Sequence, residues 1–399
     1  MFKENKKISR RNFVKNTTAA LIAGGLTVGA NSHGSELPQQ GDERKPGEES
    51  AQGSFRRDNH SLIIDVHRHC LLQPSAAMEG LMQSIFKYWI GWEEHEDATT
   101  VTIDGITIVA YPELIDLDAQ VKGQDESGVT LSLLSASMFM ETLCKKMIFI
   151  PDMELNKRVN DVSAGMVAKY PDKLNFMVNV NPFNSGSIEE CERCFNELGA
   201  KGISLGTSWD GEFLDAHQLD RFWEYAEDKD EAIFLHPPLV PIGREKMNVY
   251  KLEEMVGRPF DTTMTVSRMI FSGVFDRYPK LKVVVPHMGG AIPNVIGRLD
   301  FGYRLGYKGF PEGQEAVCKR RPSEYLRTNL YADTMGFSAY GIQHCIDLFG
   351  VDRVLFGSDY AAVPIRPKEH VDIVRSLGLS REDEEKIFWK NANTLFRLL

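Results

Sequence analysis

Leu62-Ile63-Ile64-Asp65-Val66-His67-Arg68-His69 is an apolar, β-branched run that gives way to two histidines separated by one residue. A short run of this kind, bounded by polar sequence, reads as a parallel strand buried on both faces. The reading Leu62 to Val66 is followed by Val129 to Ser135, Asn175 to Val180, Gly202 to Gly206, Ala232 to His236, Leu281 to Pro286, Thr328 to Ala332 and Arg353 to Gly357. Between them lie stretches with apolar residues at helical spacing, among them Asn156 to Lys169, Ile188 to Leu198, His217 to Glu227 and Tyr340 to Phe349. Eight strand-helix units without a long polar break predict an α/β fold closed into a (β/α)8 TIM barrel rather than an open doubly wound sheet. One insertion interrupts the series after the first strand, where Val101 to Ile108 reads as a small hairpin around Asp104-Gly105, placed to cap the barrel mouth. Two helical stretches, Arg381 to Trp389 and Asn391 to Leu399, end the chain.

The 399 residues are 42% hydrophobic and 26% charged, ample for one large core of residues 61–399. A formal charge of -10 argues against a nucleic-acid partner or an anionic membrane surface. Residues 1–30 stand apart: basic residues precede an apolar run, Thr18 to Ala30, too short to span a bilayer comfortably. Ser9-Arg10-Arg11-Asn12-Phe13-Val14-Lys15 resembles a twin-arginine export signal, and Val28-Gly29-Ala30 suits peptidase cleavage. This predicts a soluble exported protein, periplasmic or otherwise extracytoplasmic, with no membrane attachment after cleavage. Residues 31–60, rich in Gly, Ser, Pro, Gln and Glu, cannot repay the entropy of ordering and read as a disordered leader. Six cysteines in so long a chain form no disulfide framework; Cys191 and Cys194 read as ordinary helix residues.

Of ten histidines, His67, His69, His236 and His287 fall at or just past the ends of predicted strands, and Asp359 follows the eighth. His67 and His69, two apart in extended backbone, present both rings to one side, while Arg68 between them points away. Barrel strands deliver their C-terminal residues to one rim, so His67, His69, His236 and Asp359 form a candidate ligand set for one divalent metal. Three neutral imidazoles and a carboxylate with an open position suit catalytic zinc, with manganese or iron as alternatives.

Leu235-His236-Pro237, Pro286-His287-Met288-Gly289-Gly290 and Gly357-Ser358-Asp359 together resemble the amidohydrolase superfamily over residues 62–399. Asp125-Glu126-Ser127-Gly128-Val129, Gly273 to Leu281, Gly297-Arg298 and Asn391-Ala392 resemble the branch that includes aminocarboxymuconate semialdehyde decarboxylase. The resemblance implies a metal-dependent enzyme in which a metal-activated water and the catalytic pair His287 and Asp359 serve decarboxylation of a small carboxylated substrate. It also implies that Arg298 reaches a substrate carboxylate in a neighbouring subunit, hence a homodimer. Two-metal members carry a carboxylated lysine at the end of the fourth strand; Ser204 to Thr207 occupy that place, which argues for one metal. Thr107 or Ile108 stands where the aminocarboxymuconate enzymes carry a hairpin arginine, and the tryptophan they place beyond the fifth-strand histidine is absent, with Pro238 and then Glu253-Glu254 where aromatics would be expected, departures that point to a different substrate.

The same centre could instead drive hydrolysis of an amide, ester or lactone. A third alternative is a noncatalytic exported metal-binding barrel, which would have no use for His287.

Overall fold

Eight parallel strands appear in the expected order in the computed structural model, which describes residues 62–69, 92–94, 99–103, 106–110, 112–146, 148, 150–306, 315–363 and 365–399. They are β1 (Ile64–His69), β2 (Leu131–Ser135), β3 (Leu174–Phe176, continued by Val178–Asn179), β4 (Ile203–Gly206), β5 (Ala232–His236), β6 (Lys282–Val285), β7 (Leu330–Asp333) and β8 (Val354–Leu355). All belong to the unit Ser61–Leu399; the expected export signal and leader lie outside the described residues. Parallel pairing runs from β1 through β8 in sequence order. The ring closes where Val66 N–H donates to Phe356 O at 3.0 Å and His69 N–H to Tyr360 O at 2.8 Å. At Met177, between the two parts of β3, Met177 N–H reaches Leu134 O at 3.0 Å and Val178 N–H reaches Gly202 O at 2.9 Å, keeping both neighbours bonded.

The strands alternate between two apolar environments, as the period of two demands. Phe234, Val284 and Leu355 join Ile64, Val66, Leu131 and Leu133 in the barrel interior. Their sequence neighbours Ile233, Leu235, Val283, Val285, Val354 and Phe356 belong to the larger core shared with the surrounding helices. The interior cluster also includes Leu395 and Phe396 of the last helix, Asn391–Phe396. Phe396 lies so close to Gly202, whose φ is +127°, that a Cβ there would sit 2.8 Å from its ring. Cys191 and Cys194 are buried free thiols, and burial raises both thiol pKa values.

The insertion after β1 carries the expected hairpin, with Thr99–Ile103 antiparallel to Ile106–Ala110 and Ile103 opposite Ile106. A third strand, Trp92–Glu94, pairs with the first of these, an addition that the alternation had not revealed. The largest boundary difference is in β1, which runs on through both histidines. Its register against β2 shifts between Asp65 and Arg68, where four residues oppose three. That one-residue bulge resets the alternation, so Val66 faces the interior core while His67 and His69 also point inward above it.

Candidate metal centre

His67, His236, His287 and Asp359 each place one ligand atom within 4.8 Å of the others. His69 joins them, its Nε2 lying 3.1 Å from His236 Nε2 and 3.1 Å from Asp359 Oδ1. His67 Nε2 is 3.4 Å from Asp359 Oδ1, and His287 Nε2 is 3.4 Å from Asp359 Oδ2. The five residues singled out at strands one, five, six and eight are therefore brought to one point at the C-terminal rim. Arg68 is directed elsewhere, its guanidinium 4.6 Å from the centre of the Tyr360 ring and 3.6 Å from Asp65.

The imidazoles are held by their other nitrogen. His69 Nδ1 faces Ser135 O at 3.0 Å and His236 Nδ1 faces Pro237 O at 2.8 Å. A carbonyl oxygen only accepts, so each Nδ1 carries the proton and each Nε2 is a bare lone pair. The 3.1 Å approach of His69 Nε2 to His236 Nε2 is then a meeting of two acceptors, not a hydrogen bond. Nearby, His67 Nε2 and Asp359 Oδ1 are buried with no hydrogen-bond partner. The lone pairs of His69, His236 and Asp359 converging beside His67 Nε2 are what a cation would satisfy, and three imidazoles with a carboxylate are a fitting donor set for a divalent ion.

The electrostatics of His236, His69 and Asp359 agree with that protonation state. Burial, followed by the positive character of His69 and His67, pushes His236 well below the usual histidine range. Burial also lowers His69. For Asp359 burial works upward, but His67, His287 and His69 outweigh it and hold the carboxyl well below its usual range. His67 moves the other way: burial opposes its charging, yet Asp359 and Asp333 together raise it.

Two parts of this arrangement were not anticipated from the sequence. Asp333, the last residue of β7, places Oδ2 2.6 Å from His67 Nδ1, and its Oδ1 accepts from the N–H groups of Met288 and Met335, both at 3.2 Å. Its one signal was a carboxylate immediately after an apolar strand, one position beyond the boundary expected at Ala332. Asp65 accepts from His67 N–H at 3.1 Å, Ser358 N–H at 3.1 Å and Ser358 Oγ at 2.5 Å, tying β1 to the segment that bears Asp359. Strain also concentrates here: His287, Met288 and Asp359 have φ of 55°, 55° and 57°, a region that side chains avoid unless their surroundings enforce it. Arg298 lies exposed on helix Ile292–Leu305 and does not join the cluster within its own chain.

A closed parallel barrel with imidazoles and a carboxylate gathered at its C-terminal rim defines a metalloenzyme of the barrel type. Residues 64–398 match the amidohydrolase family model, and the chain belongs to that family. The 2-amino-3-carboxymuconate-6-semialdehyde decarboxylase of Dictyostelium discoideum is 32% identical over 305 residues, 75% of this chain and 82% of that protein. The gamma-resorcylate decarboxylase of Polaromonas sp. strain JS666 is 30% identical over 338 residues, 77% of this chain and 98% of its own length. A crystal structure of the Polaromonas sp. JS666 dihydroxybenzoic acid decarboxylase with bound manganese and the inhibitor 2-nitroresorcinol superimposes with a TM-score of 0.65 at 25% identity, covering 85% of this chain and 97% of that one. These relatives place the chain in the decarboxylase branch that its motifs resemble.

Proposed function

We propose that this protein is a carboxy-lyase that removes CO2 from a small carboxylated aromatic or unsaturated substrate, with one divalent ion held by His67, His69, His236 and Asp359. The observation that carries the centre is the 3.1 Å approach of two imidazole nitrogens whose protons are both committed to backbone carbonyls on the far side of the ring. At the end of β4, where a bridging lysine would support a second ion, Ser204 Oγ bonds Ser137 Oγ at 2.7 Å and Thr207 Oγ1 bonds Asp261 at 2.5 Å, so both hydroxyls are already engaged. Zinc suits the donor set, and the manganese in the Polaromonas relative sets manganese beside it.

When bound, the ion would act as a Lewis acid toward substrate oxygens and stabilise negative charge that builds up as the carboxylate leaves. Loss of CO2 requires the carbon left behind to take up one proton. His287 Nε2 and Asp359 Oδ2, 3.4 Å apart, are the groups that can pass it, and the His287 side chain is 13% exposed, enough to face a substrate entering from the rim. Asp333 and the carbonyls of Ser135 and Pro237 keep the other imidazoles from turning. Arg298, exposed on its own helix, is available to a second copy of the chain, and we place it at a partner's substrate carboxylate in a homodimer. The Ser9 to Lys15 segment supports export by the twin-arginine route, which moves proteins already folded.

The test is elemental analysis of the purified protein beside His236→Ala, followed by assay of the loaded enzyme on 2,6-dihydroxybenzoate and related hydroxylated benzoates. Near one metal per chain, lost in the variant, with CO2 released in step with product, is expected. Two metals per chain would refute the mononuclear centre. No CO2 from these benzoates, with an amide, ester or lactone cleaved by uptake of one water, would make the enzyme a hydrolase.

A further inference from the structure

A second charged group sits near this centre with no anionic partner among the described residues. Arg258 begins the helix Arg258–Phe271, whose first turns are fixed by loops that follow two barrel strands. On one side Ile242 N–H, beyond β5, donates to Asp261 at 2.9 Å. On the other, Ala291 N–H, beyond β6, donates to Thr263 Oγ1 at 2.8 Å. A Cβ on Gly290 would come within 3.0 Å of Pro259 O, so this helix start lies directly against the segment that follows His287. The Arg258 side chain reaches Met138, just past β2, with Nη1 3.4 Å from its Sδ. Met138 O in turn accepts from Leu239 N–H at 3.1 Å, three residues after His236. Arg258 is therefore held among the loops that leave β2, β5 and β6, on the rim that carries the imidazoles.

What Arg258 lacks there, among the described residues, is an ion-paired anion. A thioether is only a weak acceptor. Its Nε is buried with no hydrogen-bond partner, and no ion pair joins it to another described residue. Of the nearby carboxylates, Glu254 faces Lys251 at 3.5 Å and Asp359 is engaged by His67, His69 and His287, while Glu253, whose buried Oε2 is unbonded, forms no ion pair with Arg258. Burial lowers the guanidinium pKa, while the charges of Glu254, Asp359 and Glu253 work in the opposite direction. A guanidinium keeps its charge in such a place, and its planar fork matches a carboxylate with two parallel hydrogen bonds.

We infer that Arg258 binds a second anionic group of the substrate, a carboxylate distinct from the one that leaves, and so selects substrates carrying two acidic groups. The inference rests on the carboxy-lyase reading for the position of the reacting end. A substrate with only one carboxylate, held at the imidazole centre, would leave the guanidinium as it is now. One with a second carboxylate across the ring would complete it. A charge-assisted pair of this kind separates the two ligands roughly ten- to a hundredfold in affinity.

The test uses the full chain loaded with manganese and titrated calorimetrically with benzoate and with isophthalate, which carries two carboxylates. The wild type is expected to bind isophthalate at least about tenfold more tightly than benzoate. Arg258→Met should abolish that preference while keeping metal content and melting temperature, and Arg258→Lys should restore part of it through charge without the fork. Equal affinities in the wild type overturn the inference. So does a preference that survives in Arg258→Met, or an Arg258→Met protein that loses stability but not the preference, which would make Arg258 a structural neighbour of Glu253. Failure of the wild type to take up metal would instead sink the carboxy-lyase reading, before any comparison of the two ligands.

Discussion

Replacing Asp333 by Asn isolates the contribution of one hydrogen bond to the whole metal centre. Asp333 Oδ2 lies 2.6 Å from His67 Nδ1, and Oδ1 accepts from Met288 and Met335 N–H groups, both at 3.2 Å. A carboxylate serves all three donors because both of its oxygens accept. An amide has one oxygen, so either its NH2 faces His67 Nδ1 or it faces the two backbone N–H groups. In the first case His67 turns to the other tautomer and protonates Nε2, the atom aimed at the cluster; in the second, two buried N–H groups lose their acceptor. Substitutions of this kind lower metal affinity by about 10- to 100-fold, or roughly 1.4–2.8 kcal/mol. Competition of the apoprotein with a fluorescent chelator for zinc or manganese measures it. Wild-type affinity in a well-folded Asp333→Asn protein would refute the claim that Asp333 sets the tautomer of His67.

His287→Asn should keep its metal, since the four remaining donors converge without it, yet lose at least about 100-fold in turnover; full activity would remove His287 from proton transfer. Gly357→Ala would put a methyl carbon 2.9 Å from His67 Cβ and 3.0 Å from Asp333 Cβ, inside contact distance of the pair that orients the centre. Overpacking there should cost about 1–3 kcal/mol and lower metal occupancy, read by thermal unfolding and elemental analysis, and an unchanged melting temperature would contradict it. Glu190 supplies a pH-dependent test away from the site: it accepts from Arg193 Nε and Nη2 at 2.8 Å each and from Asn160 Nδ2 at 2.9 Å. Burial pushes its carboxyl up, but Arg193, Asn160 and Cys194 prevail and its pKa falls below the usual value. The resulting stability is present above the unfolded-state pKa and disappears as pH falls through the folded one, so Glu190→Gln should destabilise by about 1–3 kcal/mol at neutral pH and converge on wild type in acid. A difference that stays constant down to pH 3 would show that the pair contributes packing and not charge.

Much of the barrel and most of its centre were legible from local pattern. The run Ala232 to His236 is a strand over those residues, and the helix read from Tyr340 to Phe349 differs by one residue at its start. Such elements depend on the period of apolar residues along a few turns of chain, information contained in each segment by itself. The donor types were legible for a related reason: a barrel sends every strand end to one rim, so a histidine or aspartate at that point in the pattern has its destination set by topology. The bulge in β1 was not legible, because an extra residue shows only against the partner strand that it fails to match. Nor was Asp333, which meets His67 across 266 positions of sequence. The facing lone pairs of His69 and His236, the carboxylate of Asp65 that fastens Ser358, and the buried, unbonded Nε of Arg258 share that origin. Each depends on where the closed ring sets atoms from distant strands to within a few tenths of an ångström. The sequence alone determined which residues would arrive at the rim, and only tertiary structure decided which atom faces which, because hydrogen bonding and coordination are set by distance and direction while periodicity carries neither.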